Sequence, residues 1–280
     1  MNRKGITLIE LLVALTISGI LVAGVYRTFV SQQHTYTVQE QVVDMQQNVR
    51  LAINRMTREL RMAGFGGGGT GNWSTFLSHG GMTVGPDTFN NVVTPGTDEK
   101  SITVLEAFKA VTTLKDNTVA GSLAIKVIDT SGFGAGSYIS INGTDVYQIK
   151  NILSGTDIEL KQIKDKDEKN VATPTDGHYK EEPVYLVMAI TYSRGVSDGK
   201  WALLRDDHLG SGPQPVAENV ESIEFRNPDG SIPLNPNSAC MQVAITVRTD
   251  RPDADLAKAG DGFRRRTLTT NIQLRNLAFL

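Results

Sequence analysis

A twenty-residue apolar run near the N-terminus constrains this chain more than any other feature. Between Ile6 and Val25 the one charged residue is Glu10. A helix of this length spans about 30 Å, the thickness of the hydrocarbon core of a bilayer. Arg3 and Lys4 precede the run, so the positive-inside rule predicts a cytoplasmic N-terminus, with the rest of the chain outside.

Glu10 is the feature of this run that needs an explanation. A carboxylate at this depth costs on the order of 3 kcal/mol on insertion scales, so it is rarely kept without a partner. A cut after Gly5 would supply one, because Ile6 would then carry a positively charged amine one helical turn away. Within one subunit or between neighbours, this amine would neutralise Glu10 and set the register of packed helices. Secretory cleavage at Ala23-Gly24 is disfavoured, since the helical pattern continues through Phe29.

The residues around this position resemble a known signal. Arg3-Lys4-Gly5 followed by Ile6-Thr7-Leu8-Ile9-Glu10 is similar to the cleavage and methylation signal of type IV prepilins. The resemblance implies that a prepilin peptidase cuts after Gly5 and N-methylates Ile6, and that Glu10 acts in assembly. Ile6 stands where major pilins usually carry Phe, which favours a minor pilin or a pseudopilin.

The helical pattern extends well beyond the apolar run. One narrow apolar stripe indicates an amphipathic second half, and its members are Val38, Val42, Met45, Val49, Ala52, Met56 and Leu60. We therefore expect a helix from Thr7 to Ala63, with Gly64 as its C-cap. The sequence from Arg58 to Phe65 also resembles the helix end of PilW-type minor pilins.

A glycine-rich stretch follows this helix. A Gly-x-Gly-x-x-Gly pattern can be read within Gly64–Gly71, but it follows a helix rather than a strand, so a phosphate-binding loop is disfavoured. The composition rich in Gly, Asn, Thr and Pro predicts an irregular loop over 64–100, beginning as a flexible exit from the helix.

Strand signals follow in series after residue 100. The predicted strands are Ser101–Leu105, Ser122–Ile128, Ser137–Ile141, Val146–Ile152, Asp157–Gln162, Val184–Ser193, Lys200–Arg205, Ser222–Arg226, Met241–Thr249 and Thr267–Arg275. Turn residues separate the second to the fifth, which predicts a small antiparallel β subdomain over 123–162, inserted into the main domain. A charged linker is predicted for 164–176.

The later strands resemble the C-terminal half of PilW-type and GspJ-type proteins. With the N-terminal signal, this resemblance implies an α+β type IV pilin fold. The expected organisation of the chain is a leader (1–5), a long helix (6–63, of which 6–25 is transmembrane), a loop (64–100) and a β-rich globular domain (101–280). Cys240 is the single cysteine, so an intramolecular disulfide is excluded.

No catalytic, metal or cofactor site is predicted with any strength. The four histidines form no two-histidine metal motif, and no Gly-x-Ser-x-Gly or acid–base pair stands out. A loop between the last two strands carries four weak calcium candidates: Asp250, Asp253, Asp255 and Asp261. A solvated loop is the favoured interpretation of these aspartates, and we expect no cofactor.

Nucleic acid is an unlikely partner. The one basic run is Arg264-Arg265-Arg266, and its side chains would alternate between the two faces of a strand. The formal net charge is −2, whereas DNA binding needs a broad basic surface and stacking aromatics.

These observations predict a minor pilin with a structural role and no enzymatic activity. The precursor would lie in the inner membrane with its domain in the periplasm, and would then join a type IV pilus, at its tip or in a priming complex. Its expected partners are prepilin peptidase and other pilins, contacted through the N-terminal helix. The alternatives are a type II secretion pseudopilin and a tip adhesin or DNA-uptake subunit.

Overall fold

The computed structural model describes residues 7–67, 72–78, 80–119, 121–161, 163–164, 170–172, 177–258 and 260–277. Two helices lie in these ranges, α1 (Leu8–Met62) and α2 (Asn72–Ser78). The strands in chain order are β1 Met82–Val84, β2 Asp87–Phe89, β3 Val93–Pro95, β4 Ser101–Thr113, β5 Ala124–Lys126, β6 Tyr138–Ile141, β7 Asp145–Ile152, β8 Asp157–Leu160, β9 Ile163–Lys164, β10 Asn170–Ala172, β11 Pro183–Ser197, β12 Lys200–Asp206, β13 Gln214–Glu218, β14 Val220–Arg226, β15 Cys240–Arg248 and β16 Arg265–Gln273.

The chain divides into two compact units. The first combines Met1–Gln47 with Thr249–Arg264, and the second combines Asn48–Arg248 with Arg265–Leu280. Helix α1 is continuous through both and contains 55 residues. It begins and ends within one residue of the predicted helix, which confirms that the membrane-length run and the amphipathic stripe belong to one helix.

The largest sheet of the second unit has nine strands. They follow the order β13-β12-β11-β6-β7-β8-β5, with β4 on the other edge of β11 and β3 beside β4. The longest pairing joins β4 to β11, from Pro183 opposite Thr113 to Ser193 opposite Ser101. Every neighbouring pair in this sheet is antiparallel. A long helix followed by an antiparallel β domain confirms the predicted α+β class.

A separate three-stranded sheet has the order β14-β15-β16. Along β15 the buried side chains are every second residue, from Met241 to Val247, which is the two-residue period of a sheet with one covered face. The strands predicted at Met241–Thr249 and Thr267–Arg275 correspond to β15 and β16, displaced by one or two residues.

The predicted helix stripe is the buried side of α1 in the second unit. Val49, Ala52, Met56 and Leu60 are all buried, whereas Leu51 on another side of the helix is exposed. Gly64 adopts a φ of +81°, as a C-cap requires, and its N–H donates to the carbonyl of Leu105 at 2.8 Å.

The stretch predicted to be an irregular loop is more ordered than its composition indicates. Between residues 64 and 100 the structure contains α2, β1, β2 and β3. The physical reason is burial: Trp73, Phe76 and Met82 are core side chains despite the surrounding glycines. Gly66 is closely packed, because a Cβ there would lie only 2.5 Å from the Cβ of Ala107.

The region predicted as an inserted subdomain, 123–162, contains β5, β6, β7 and β8, and the predicted strands at Ser137–Ile141 and Val146–Ile152 are confirmed. Its strands pack a hydrophobic core that includes Ile139, Tyr147 and Ile158. The region is nevertheless continuous with the main sheet, because β6 pairs with β11. The division of the chain into domains stays a prediction. The predicted linker, 164–176, overlaps two short strands, because residues 163–164 form β9 and residues 170–172 form β10.

Candidate functional site

The described chain begins with a hydrogen-bonded helix cap. Thr7 precedes the first residue of α1, and its Oγ1 accepts a hydrogen bond from the N–H of Glu10 at 3.3 Å. In return, Oε2 of Glu10 accepts from the N–H and from the hydroxyl of Thr7, each at 2.9 Å. This reciprocal pair is a capping box, which satisfies two backbone donors that the first turn of a helix leaves unpaired.

The capping box changes the account of Glu10. Sequence reasoning proposed that its carboxylate needs a cationic partner, and it did not consider Thr7. The signal was present, because Thr followed three residues later by Glu before an apolar run is a capping-box pattern. In the structure the carboxylate is held at the N-terminal end of the helix, where the positive end of the helix dipole also favours negative charge.

An exposed apolar surface follows this cap. The large side chains of α1 from Leu8 to Val30 are exposed, including Leu8, Ile20 and Phe29. Among the described residues, α1 is the one helix long and apolar enough to cross a membrane. The most apolar window of this helix is 0% buried, which fits membrane anchoring of a prepilin-like protein.

Comparison with known protein families identifies the N-terminal segment. Residues 1–26 match the family described as the prokaryotic N-terminal methylation motif. This motif indicates a type IV pilin-like or pseudopilin precursor. The matched segment contains Gly5, Ile6 and Glu10; of these, Gly5 and Ile6 lie outside the described residues, so their roles in cleavage and methylation stay predictions.

The comparisons identify no similar protein for the rest of the chain. Neither a search of curated proteins nor a search of solved structures found a match. The pilin-like arrangement of the chain therefore rests on the methylation motif together with the long apolar helix and the antiparallel β domain.

Two of the four calcium candidates lie together in the first unit. Possible ligand atoms of Asp253, Asp255 and His34 lie within 4.8 Å of one another. However, Arg264 donates to Oδ2 of Asp253 from Nε at 3.1 Å and from Nη2 at 2.6 Å. These two hydrogen bonds hold the pKa of the Asp253 carboxyl below its usual range. A guanidinium thus neutralises the buried member of the group. Asp261 instead accepts the N–H of Phe263 at 3.2 Å, and calcium binding stays an untested prediction.

The basic run is engaged within its own units. Besides the contact of Arg264 with Asp253, the guanidinium of Arg265 donates from Nε and Nη2 to the carboxylate of Glu221, at 2.5 and 3.0 Å. These pairs neutralise part of the positive charge of the three consecutive arginines. The expectation about nucleic acid stays a prediction.

The described histidines occupy three unrelated places. His34 lies on α1, and His208 follows β12 and shares a hydrogen bond of 2.8 Å with the hydroxyl of Thr191. His178 is buried, with Nδ1 2.9 Å from Glu182 and Nε2 3.1 Å from Asp145. Burial opposes its protonation, but the two carboxylates outweigh burial and raise its pKa. The fourth histidine, His79, lies outside the described residues.

Sequence reasoning missed a buried polar cluster in the second unit. Oε2 of Glu59, on α1, accepts hydrogen bonds from Arg205 Nε at 2.8 Å and from the Tyr192 hydroxyl at 2.7 Å. Glu106 lies nearby and is only 1% exposed, and neither of its carboxylate oxygens has a hydrogen-bond partner. Burial, together with the negative charge of Glu59, raises the pKa of Glu106 to about 8.

This cluster could not have been found from the pattern alone. Its members come from α1, β4, β11 and β12, and no spacing in the sequence relates Glu59 to residues more than a hundred positions away. The weak signal was a charged residue beside the buried stripe of the helix, between Met56 and Leu60.

Proposed function

We propose that this protein is a minor pilin, a structural subunit that supports assembly of a type IV pilus. Prepilin peptidase cuts the precursor after Gly5 and methylates the new amine of Ile6. The mature subunit leaves the inner membrane and packs its apolar helix among those of other pilins, in a priming or tip complex. Its globular domain faces the periplasm before assembly and the cell surface afterwards.

One observation supports this proposal most directly: an exposed, membrane-length helix begins at Leu8, inside the matched segment 1–26, and the carboxylate of Glu10 is held at its N-terminal end. The capping box keeps the carboxylate close to the backbone of Thr7. After cleavage the charged amine of Ile6 is one residue from Thr7, so the carboxylate is already near the cation it would neutralise. Each subunit then presents a paired charge that sets register with its neighbours.

The resemblances noted above favour a minor pilin over the alternatives. Ile6 replaces the Phe usual in major pilins, and the helix end at Arg58–Phe65 is similar to that of PilW-type minor pilins. A type II secretion pseudopilin of the GspJ type is the second candidate, since it would share the same processing segment and helix. Deleting the gene in its native host separates them: loss of surface pili with normal protein secretion is expected, and the converse would favour the pseudopilin.

The first experiment determines the mass and N-terminal sequence of the protein extracted from membranes. We expect a chain that starts at Ile6 and carries one added methyl group. An intact Met1, or a start near Gly24, would show that the processing proposal is wrong.

Substitutions at Glu10 test the assembly role and separate charge from capping. Glu10→Ala should still be cleaved, because the scissile bond keeps Gly5, but it should enter pili poorly. Glu10→Gln keeps a side-chain acceptor for the capping box and removes the charge, so equal failure of both variants would assign the role to the charge. Glu40→Ala, an exposed position on the same helix, is the matched control.

Normal incorporation of Glu10→Ala into purified pili, measured against processed protein in the membrane, would contradict the register role. If Glu10→Gln is incorporated normally and Glu10→Ala is not, the capping hydrogen bonds of Glu10, rather than its charge, are what assembly requires.

A further inference from the structure

β16 is the outer strand of the three-stranded sheet, and β15 pairs with one of its two edges. Hydrogen bonds just beyond the strand ends show which residues use that edge. At one end the N–H of Leu274 donates to the carbonyl of Ala239, and at the other the N–H of Thr249 donates to the carbonyl of Arg264. Because the main-chain groups of an antiparallel strand alternate between its edges, the even-numbered residues of β16 bond to β15. The N–H and C=O groups of the odd-numbered residues therefore point to the outer edge.

This outer edge is accessible over most of its length. The odd-numbered residues from 267 to 273 are all exposed, namely Thr267, Thr269, Asn271 and Gln273. Within the described part of the chain, β15 is the one strand that pairs with β16, and no other hydrogen bond engages the main-chain groups of these four residues. Four residues thus offer an N–H and a C=O each to a further strand.

β16 also lacks the features that usually protect an edge strand. Its pairing with β15 runs from end to end without a register shift, and the segment 267–273 contains no proline, glycine or charged residue. The edge strands of the nine-stranded sheet differ, because β13 contains Pro215 and a register shift, and β3 and β5 have only three residues each. A long, regular and uncharged edge is a template for pairing with another chain.

A second copy of β16 fits this edge in an antiparallel register centred on Thr269. The Thr269 residues of the two copies then face each other, and Thr267 faces Asn271 of the second copy. All of these residues direct their main-chain groups outward, so each facing pair can exchange two hydrogen bonds. The side chains of Thr267 and Asn271 already bond to β15, to Thr246 at 2.8 Å and to Gln242 at 3.3 Å, and do not block the main chain.

Charge favours this register. The two arginines that begin β16, Arg265 and Arg266, lie opposite Gln273 and Ile272 of the second copy, so no like charges face each other. A shift of two residues in one direction keeps the outward groups aligned but places Arg265 opposite Arg275, which charge repulsion disfavours. The opposite shift leaves Gln273 beyond the start of the second strand. The strand is therefore complementary to itself in charge over its full length.

We propose that two copies of this protein pair through β16 and form a continuous six-stranded antiparallel sheet. The occupant of the outer edge is the same edge of the second copy, in the register centred on Thr269. This interaction surface lies in the β domain. It requires neither the charge of Glu10 nor removal of the leader, so it can fail without affecting the proposed role in pilus assembly.

Disulfide trapping tests the register, with the full-length protein in detergent micelles and a Cys240→Ser background. Thr269→Cys should form a disulfide-linked dimer on oxidation, because facing Cα atoms lie about 5.5 Å apart, a distance that a disulfide spans. Thr246→Cys, on the same face but on the central strand β15, is the matched control and should stay monomeric. Thr267→Cys mixed with Asn271→Cys should cross-link more than Thr267→Cys alone, whose two Cα atoms would be about 14 Å apart.

Thr269→Pro tests the hydrogen bonds themselves. Proline is tolerated where the N–H faces outward at a sheet edge, so the pairing with β15 should persist, and Thr269→Val keeps the N–H as a control. The dissociation constant of the dimer, measured by sedimentation of the reduced protein, should rise about tenfold or more, because each dimer loses two hydrogen bonds.

A Thr269→Cys protein that stays monomeric on oxidation would overturn the proposal, and this is also the result expected if β16 pairs with a different protein. Equal cross-linking of Thr246→Cys, or no preference for the mixture of Thr267→Cys and Asn271→Cys, would overturn it as well. A dimer that Thr269→Pro leaves intact would assign the association to another surface, such as the N-terminal helix, and would contradict pairing through β16.

Discussion

At the scale of single residues, Glu10 has two compatible uses. Its carboxylate closes a capping box with Thr7 in the described chain, and in the proposed mature subunit it lies beside the new amine of Ile6. A carboxylate that already satisfies backbone donors is less costly to keep in an apolar run than one with no partner. The cap thus helps to explain how the precursor tolerates Glu10 before processing.

The cap can be tested by Thr7→Val, which keeps the side-chain volume and removes the oxygen. We expect the N-terminal turn of α1 to lose about 1 kcal/mol, so amide exchange at Glu10 and Leu11 should accelerate roughly fivefold in micelles. The matched control is Thr16→Val, because the Thr16 hydroxyl bonds the Leu12 carbonyl within the helix and caps nothing. Equal acceleration in both variants would contradict the cap.

At the scale of elements, a buried polar contact joins α1 to the main sheet within the second unit. Glu59, from the helix, accepts hydrogen bonds from Arg205 of β12 and Tyr192 of β11. Its Oε2 lies 2.8 Å from Arg205 Nε and 2.7 Å from the Tyr192 hydroxyl oxygen. Glu59 and Arg205 are both buried. Removing one member of such a pair leaves an uncompensated buried charge, so this contact specifies how helix and sheet pack rather than simply adding stability.

Arg205→Met should therefore lower the free energy of unfolding by about 3 kcal/mol. Lys150→Met, which breaks the exposed pair with Glu159, should cost less than about 1 kcal/mol. Denaturant titration of the full-length variants in the same detergent, followed by tryptophan fluorescence, compares them. A loss for Arg205→Met no larger than that for Lys150→Met would show that the buried pair contributes little.

At the scale of the whole molecule, the buried acid Glu106 links stability to pH. Its pKa is about 8 in the folded chain, compared with the ordinary value of 4.5. Between these values the unfolded chain has released the proton and the folded chain retains it. Stability therefore falls as pH rises from about 4.5 to about 8, and is highest below that window.

Glu106→Gln should remove this dependence, because the amide keeps the shape of the protonated acid without a titrating proton. Relative to the unsubstituted protein, the variant should gain on the order of 1 kcal/mol of stability per pH unit across the window. Unfolding midpoints at a series of pH values measure the effect, with Glu218→Gln, at an exposed position, as control. Parallel pH profiles for Glu106→Gln and the unsubstituted protein would refute the link.

The accuracy of the sequence-based predictions followed the range of the interactions. Helix α1 and its buried stripe were predictable because a periodic pattern of near neighbours defines them. The order in 64–100 was not, since Trp73 and Phe76 are buried by partners distant in the sequence. The capping role of Thr7 has a local signal, the spacing of three residues between Thr7 and Glu10, but the sequence alone does not show whether the Glu10 carboxylate bonds the backbone or a cation.

By itself the sequence determined the class of the molecule: an apolar run of membrane length, a processing segment ahead of it, and strands after it. These follow from local chemistry, since hydrophobicity, helix periodicity and turn residues act over a few positions. Only the tertiary structure decided where Glu59 meets Arg205, that Glu106 is buried, and which main-chain groups of β16 face away from β15. The physical reason is that pairing register and burial depend on residues brought together from distant parts of the chain, and such contacts leave no fixed spacing in the sequence.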